Sequence, residues 1–472
     1  MDTTDRTGAA AHRHDVVVIG AGPAGEVAAG RLAGAGLRVV IVERELVGGE
    51  CSYWACIPSK ALVRPGEVVA AARRVPGAAQ AVTGSIDAGA AMARRDELVE
   101  HGDDAGQVSW LTSSGVDLIR GHGRLDGERR VRVSRPDGEV QLLEAQRAVI
   151  VATGSRATVP PVPGLAEVRP WDNRAATTLR QVPDRLLVLG GGPVGLEPAQ
   201  AIRRLGAREV SVIEAAGSLL AREEPFAGEQ VRGALEQEGI VVATGVRLTG
   251  ARRDPDGVVR LTDDRGREFV GDEVLVAAGR SPSTGDLGLE SVGLRAGEAI
   301  AVDDRLRAEG VAGQWLHAVG DCNGIAPLTH LGKYQARIAA DVILGKDTAD
   351  RASRDVVPRV TFTDPQVAAV GLTGAQAAER GLRARTVTFE TGALAGASVQ
   401  ANEYPGTSAL VVDEERGVLV GATFVGGSVQ ELVHAATVAI AGQVPLDTLW
   451  HAVPSFPTVS EVWLRLLETY GL

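Results

Sequence analysis

Residues 15–43 read DVVVIGAGPAGEVAAGRLAGAGLRVVIVE. The opening five residues are a β-branched run that leads straight into a glycine turn. Helix-like sequence continues to about Leu37, and a second apolar run, RVVIVE, ends on an acid at Glu43. Strand, glycine turn, helix, strand and acid make a βαβ unit. The glycines of the turn lack side chains for three different reasons. Gly20 makes the tight turn, Gly22 lets backbone approach a pyrophosphate, and Gly25 lets helix and strand pack closely. The phosphates then sit on the helix N-terminus. Glu43, 23 positions after Gly20, falls where a carboxylate hydrogen-bonds ribose hydroxyls.

One such motif is a weak signal, but the pattern returns. Residues 186–214 carry LLVLG, then GGPVG, a helix and EVSVIE, with 24 positions from Gly190 to Glu214. Gly190, Gly192 and Gly195 occupy the three glycine places. Each copy is followed by a run ending in a similar turn, VIVATGS at 149–155 and VLVAAGR at 274–280. The chain therefore carries an internal duplication of a nucleotide-binding fold. At the second acid, a carboxylate repels a 2′-phosphate, and a site for that phosphate normally supplies a nearby arginine. Ala215, Ala216 and Gly217 follow Glu214 and the nearest arginine in sequence is Arg222, so NADH is expected in preference to NADPH. After residue 350 the sequence alternates as antiparallel strands do, with helical sequence at about 374–381, 429–441 and 459–470, which suggests a separate α+β domain.

Composition narrows the function. The 472 residues, 44% of them hydrophobic, are too many for one core. A net charge of −11 argues against nucleic acid and against anionic lipid as partners. No uncharged apolar run is long enough to span a membrane. The polar start, MDTTDRTGAAAHRH, reads as a disordered tail and not a signal peptide. Three cysteines are no secreted disulfide framework, so a reducing, cytoplasmic setting is expected. Only three of the 49 basic residues are lysines, at 60, 333 and 346. Where arginine is so favoured, a retained lysine is either a position that arginine would not serve or a chance survivor.

Two of the three cysteines, Cys51 and Cys56, lie in GGECSYWACIPSK at 48–60. A zinc site would need a different spacing and a partner pair. Two inert core cysteines and a redox dithiol are the remaining readings. A disulfide needs Cα atoms about 4.4–6.8 Å apart, less than positions i and i+5 of a regular helix allow. The dithiol reading therefore places Cys51 in a loop or distorted first turn, with Cys56 entering a helix. A helix N-terminus would favour the thiolate there.

Taken together, GAGPAG, CSYWACIPSK, VATGS, GGGPVGLE, VAAGR, AVGDCNG with PLTH, and TFTDPQVAAVGLT give the chain its resemblance to the class I pyridine nucleotide–disulfide oxidoreductases, over about residues 14–470. This is the family of dihydrolipoamide dehydrogenase, glutathione reductase and mercuric reductase. The resemblance implies an α/β fold with two Rossmann-like domains, for FAD and NAD, plus a C-terminal α+β dimerisation domain. The expected boundaries are a tail at 1–13, an FAD-binding domain at 14–165 and 281–349, an NAD-binding domain at 166–280, and the dimerisation domain at 350–472. The implied cofactor-binding set is Gly20, Gly22, Gly25, Glu43, Gly49, Thr153, Gly154, Gly190, Gly192, Gly195, Glu214, Gly279, Arg280, Gly320 and Asp321, with Asp321 on the ribityl chain of the flavin. Electrons would pass from NADH to FAD and then to a Cys51–Cys56 disulfide. Cys56 would lie beside the flavin and Cys51 would attack the acceptor. Lys60 would sit near the flavin, paired with Glu197. Cys322 reads as a core residue, and no metal site is implied.

The resemblance breaks at the C-terminus. Family disulfide reductases end in His-Pro-Thr-x-x-Glu, whose histidine, from the other subunit of a homodimer, carries the proton of the attacking thiol. This chain reads Phe456-Pro457-Thr458-Val459-Ser460-Glu461. Glu461 keeps its place, but a phenyl ring carries no proton, and general acid–base help is worth about 10²–10⁴-fold. His451 is a possible substitute or an ordinary structural or surface residue. Tyr53 and Trp54 stand where the family usually has smaller residues, and either pack under the flavin domain, crowd Cys51 or offer a flat apolar surface to a ring-shaped acceptor. No cysteine lies near the C-terminus, so the metal-transfer pair usual in mercuric reductases and the C-terminal redox pair of large thioredoxin reductases are both absent. The acceptor is thus a small disulfide, or a quinone-like or metal acceptor that needs no histidine. A redox-sensing flavoprotein that binds NADH with little turnover is the third reading.

Overall fold

The computed structural model describes residues 12–472. The chain divides into two compact units. The first takes residues up to Ile57, Asp96–Ala157 and Arg280–Arg354; the second takes Pro58–Arg95, Thr158–Gly279 and Asp355–Leu472.

A seven-stranded sheet forms the first unit. Strands Val116–Arg120, Val39–Glu43, His12–Ile19 and Val140–Val151 run parallel in that order, and Leu316–Ala318 pairs with Val140–Val151. Arg130–Ser134 and His122–Leu125 extend the sheet antiparallel. Val16, Val17 and Val18 are fully buried, which is why the run has no polar alternation. The first strand begins inside the tail expected at 1–13, because His12 and Arg13 already pair with Leu143 and Glu144; residues 1–11 lie outside the described residues. The helix after the glycine turn is Pro23–Gly34. It stops short of Leu37 because Gly36 takes the left-handed φ of +89° that ends helices. It packs on helix Thr329–Ile343.

The second unit holds three sheets. Four parallel strands, Val241–Ala243, Glu209–Ile213, Arg185–Leu189 and Glu273–Val276, repeat the nucleotide fold. Leu248–Arg253, Val259–Asp263 and Glu268–Gly271 form a small antiparallel sheet. Arg359–Thr361, Gln366–Gly371, Val418–Gly426, Thr407–Asp413 and Ala384–Glu390 form a five-stranded antiparallel sheet. Helices Val429–Ala441 and Val462–Tyr470 pack on it. The helix expected at about 374–381 is Gly374–Glu379, opened by a reciprocal Thr373–Gln376 cap. Val367 and Val425 of the C-terminal sheet share a core with Val188 and Leu196 of the nucleotide fold.

Pro58–Arg95 falls in the second unit, although it lies within the segment expected to belong to the first nucleotide fold. The reason is packing: Leu62 and Ala91 bury against Leu179 and Leu205. The buried Arg95 donates to the carbonyls of Thr177 and Leu179 at 2.7 and 3.1 Å. Among the described residues, no helix is long and apolar enough to cross a membrane.

Candidate functional site

The two glycine turns are built alike. A Cβ on Gly25 would stand 1.9 Å from the carbonyl oxygen of Gly20, and one on Gly195 would stand 2.2 Å from that of Gly190. Only hydrogen fits there, so each helix closes on its strand. Gly22 and Gly192 cap helices Pro23–Gly34 and Pro193–Arg204, and around each the space within 4 Å of a Cβ is empty. Phosphate oxygens can therefore reach both helix N-termini. Gly49 packs onto the first turn, its Cβ position lying 2.9 Å from the Cα of Gly22.

The acids are tethered to these turns. Glu43 accepts from the amides of Ala21 and Glu45, both at 2.7 Å. Glu214 accepts from the Gly191 amide and from the Ala216 amide, the latter at 2.6 Å. A carboxylate oxygen has two lone pairs, so each can also take a ribose hydroxyl.

Further along the first unit, the buried hydroxyl of Thr153 has no hydrogen-bond partner among the described residues, and Gly154 faces open space. Ser155 Oγ donates to Asp321 at 2.5 Å and accepts from Arg280 Nε at 2.7 Å. Burial raises the pKa of Asp321, while Ser155 and Arg280 pull it down. Gly320 donates its amide to Gln335 Oε1 at 2.8 Å. In the second unit Gly279 also faces open space. An orphaned hydroxyl, an acid held by serine and an open helix N-terminus within one unit fit a dinucleotide with a polyhydroxyl chain, as FAD is.

Cys51 lies in the short helix Gly49–Tyr53, and Cys56 is the first residue of helix Cys56–Arg73. The break at Trp54 and Ala55 lets the two sulfurs meet, so Cys51 lies in a helix of its own and not in a loop. Among the described residues neither thiol is in a disulfide, and the Cys51 thiol is hydrogen-bonded to Cys56. That bond, then burial, holds the Cys51 thiol well above its ordinary pKa, while Thr329 and Lys333 pull it down. Cys56 Sγ lies 3.3 Å from Thr329 Oγ1, in the first turn of helix Thr329–Ile343. In sequence Thr329 stands within PLTH and Lys333 among the three lysines, but neither pattern ties them to the thiols; the contact of Thr329 with Cys56 appears only in the fold. Cys322 is fully buried, its thiol pushed up to about 12 by burial, and donates to the carbonyls of Val151 and Val319.

In the second unit, Lys60 Nζ lies 2.7 Å from Glu197 Oε2 and 4.7 Å from the centre of the Phe362 ring. The other oxygen of the buried Glu197 accepts from the Phe362 amide at 2.9 Å. Near the C-terminus, Phe456 is 75% exposed. Glu461 is only 7% exposed, and its Oε2 has no partner among the described residues. His451 is exposed at the end of helix Leu446–Trp450. Tyr53 is buried, its ring centre 5.8 Å from that of Trp54.

Residues 14–339 match the family described as pyridine nucleotide-disulphide oxidoreductase, and residues 357–466 match the dimerisation domain of that family. The chain is 32% identical over 463 residues to a dihydrolipoyl dehydrogenase of Haloferax volcanii, covering 96% of this chain and 95% of the relative. It is 33% identical over 471 residues to a mercuric reductase of Streptomyces lividans, covering 97% and 96%. Among solved structures it resembles LpdA from Mycobacterium tuberculosis, with a TM-score of 0.86 at 26% identity over 98% of this chain and 100% of that one. It also resembles the Cu(II) complex of the HOCl-induced flavoprotein disulfide reductase RclA from Escherichia coli, with a TM-score of 0.85 at 26% identity over 97% and 99%.

Proposed function

This chain belongs to the pyridine nucleotide-disulphide oxidoreductase family of FAD-containing enzymes, and we propose that it carries electrons from NADH through flavin and the Cys51–Cys56 pair to a small disulfide. The observation that carries this reading is the meeting of the two sulfurs across the helix break, with Thr329 against Cys56. FAD supplies the two-electron carrier between pyridine nucleotide and thiols. Gly22 and Gly49 admit its phosphates, Glu43 its ribose, and Asp321 its polyhydroxyl chain. Gly192 and Glu214 do the same for NADH, and the carboxylate of Glu214 disfavours the 2′-phosphate of NADPH. Lys60, held by Glu197, keeps a compact positive charge that a planar guanidinium would not reproduce.

The thiols then act in order. The Cys51 thiolate attacks one sulfur of the acceptor, forming a mixed disulfide and releasing the first thiolate. Cys56 attacks Cys51, releases the second thiolate and restores the Cys51–Cys56 disulfide. The dimerisation domain supports a homodimer, and the thiol chemistry suits a reducing cytoplasm. Phe456 favours a second reading, in which a quinone-like or metal acceptor takes the electrons. An exposed phenyl ring cannot hold a proton, and Glu461 is left without the histidine it would orient.

Thiol counting tests the first reading. Anaerobic NADH should expose two further alkylatable thiols, mapped to Cys51 and Cys56 by peptide mass spectrometry. If NADH exposes none, the pair does not carry the electrons. Steady-state rates with lipoamide, other small disulfides and quinones then choose the acceptor.

A further inference from the structure

Residues 362–365 join strands Arg359–Thr361 and Gln366–Gly371 of the C-terminal sheet. Two helices meet this loop, each along one face. Helix Pro193–Arg204 supplies Glu197, Gln200 and Arg204, spaced as i, i+3 and i+7. The Gln200 side chain exchanges hydrogen bonds with the amide and the carbonyl of Asp364, at 2.8 and 3.0 Å. Arg204 Nη2 donates to the Asp364 carboxylate at 2.9 Å. The other helix, Cys56–Arg73 with the residue after it, supplies Lys60, Glu67 and Arg74 at intervals of about two helical turns. Arg74 donates to the same Asp364 oxygen at 2.9 Å, and Glu67 accepts from Gln366 at 3.2 Å. All these contacting residues lie in the second unit.

Asp364 anchors the loop, and Phe362 is what the anchored loop brings to Lys60. The Phe362 amide donates to one oxygen of the buried Glu197 at 2.9 Å, while Lys60 Nζ donates to the other at 2.7 Å. The centre of the Phe362 ring lies 4.7 Å from the same Nζ, within the range over which an aromatic face attracts a cation. One residue therefore grips both members of the ion pair, the acid through its backbone and the ammonium through its ring. Glu197 alone would hold the ammonium at a single point. The Lys60 side chain is 38% exposed, and its four-carbon stem is flexible.

We propose that Phe362 is a positioning residue for the Lys60–Glu197 pair, fixing where the Lys60 charge is held. Through it, a loop within the segment matched as the dimerisation domain sets the geometry of a group that serves electron transfer. That service rests on the proposed function; the grip of Phe362 on Lys60 does not.

Two readouts test the proposal separately. Holoenzyme is treated with a trace of acetic anhydride, and modification of Lys60 is measured by peptide mass spectrometry against Lys346, an internal standard in the first unit. Phe362→Leu keeps an apolar side chain and the backbone amide but removes the ring face. The ratio of Lys60 to Lys346 modification should rise by about twofold to fivefold, the hold of an aromatic face on an exposed cation. Phe362→Tyr should return it to the wild-type value. An unchanged ratio in the leucine variant overturns the proposal, as does a tyrosine variant as reactive as the leucine one. The second readout is the rate of flavin bleaching at saturating NADH, which should fall by a similar factor in Phe362→Leu. That loss should vanish when Lys60→Met is already present. A loss of equal size in that background would mean that Phe362 acts through packing at large, and overturns the proposal. If NADH bleaches no variant, the electron route itself fails, and the acetylation ratio still decides whether Phe362 holds Lys60.

Discussion

The two nucleotide folds repeat the same glycine clash and the same tethered acid at the turns proposed to hold dinucleotides, and part company immediately afterwards. In both, a glycine Cβ would strike the carbonyl of the first turn glycine, at 1.9 Å for Gly25 and 2.2 Å for Gly195. In both, the acid ending the second strand binds an amide in the turn and an amide two residues on. After Glu43 the chain enters Gly48–Cys56 and the thiols; after Glu214 it enters Ala215, Ala216 and Gly217. On the proposed function, holding a dinucleotide is the shared, duplicated task, and the thiol chemistry belongs to one copy only.

The largest effects come from breaking the turns. Gly25→Ala puts a methyl group into a carbonyl that is backbone and cannot swing aside, so the purified protein should hold no flavin, read by its visible absorbance. Gly195→Ala should stay yellow but no longer be reduced by NADH. Loss of flavin from the second variant would show that the two copies do not work separately. Next come the thiols. Cys51→Ser should bring turnover of a small disulfide to background, while NADH still bleaches the flavin. Bleaching lost with turnover would mean that Cys51 belongs to the dinucleotide-holding part after all.

Phe456→His follows. It returns a proton carrier at the position where the family motif has its histidine, in a motif whose Glu461 keeps a buried Oε2 without a partner among the described residues. Lipoamide turnover should rise by about tenfold to a hundredfold, the lower half of the range for general acid–base help. If the unaltered enzyme already turns over lipoamide quickly, the quinone-like or metal reading loses its support. A smaller effect separates the acids. Glu214→Gln removes the charge that repels a 2′-phosphate but keeps one acceptor for the backbone amides. The ratio of kcat/KM for NADH over NADPH should fall by about tenfold, equivalent to about 1.4 kcal/mol. An unchanged ratio would mean that Glu214 only braces its turn.

Much of this was legible in sequence because it is local. Strand, turn, helix and acid follow one another within about 25 residues, and steric demands at Gly25 or Gly195 leave a mark on residue type. The small sheet over Leu248–Gly271 carries no expectation in sequence, although Gly257 and Gly266, at φ of +90° and +76°, punctuate its strands. What sequence hid is contact between distant residues. Leu62 and Ala91 join the second unit through Leu179 and Leu205, and no local pattern encodes that choice. The buried guanidinium of Arg95 reads in sequence as one more surface charge, yet it ties down two carbonyls 82 and 84 residues away. The partner of Cys56, Thr329, lies 273 residues on.

Thr329 gives the finest test of how the thiol chemistry was grafted onto one copy. Its hydroxyl meets Cys56 at 3.3 Å, and the second copy has no thiol for such a contact to serve. Thr329→Val keeps the shape and the helix N-terminus while removing the donor. A hydrogen bond to a charged acceptor contributes more than one to a neutral acceptor, so the loss should weigh on the reduced, thiolate form more than on the disulfide. The dithiol–disulfide equilibrium against glutathione should shift toward the disulfide by about threefold to tenfold, corresponding to about 0.7–1.4 kcal/mol. Thr329→Ser should recover most of it. NADH affinity should not move, because Glu214 and Gly192 are untouched. If the valine variant leaves the equilibrium in place, packing alone positions Cys56, and the thiol end owes nothing specific to the helix that faces it.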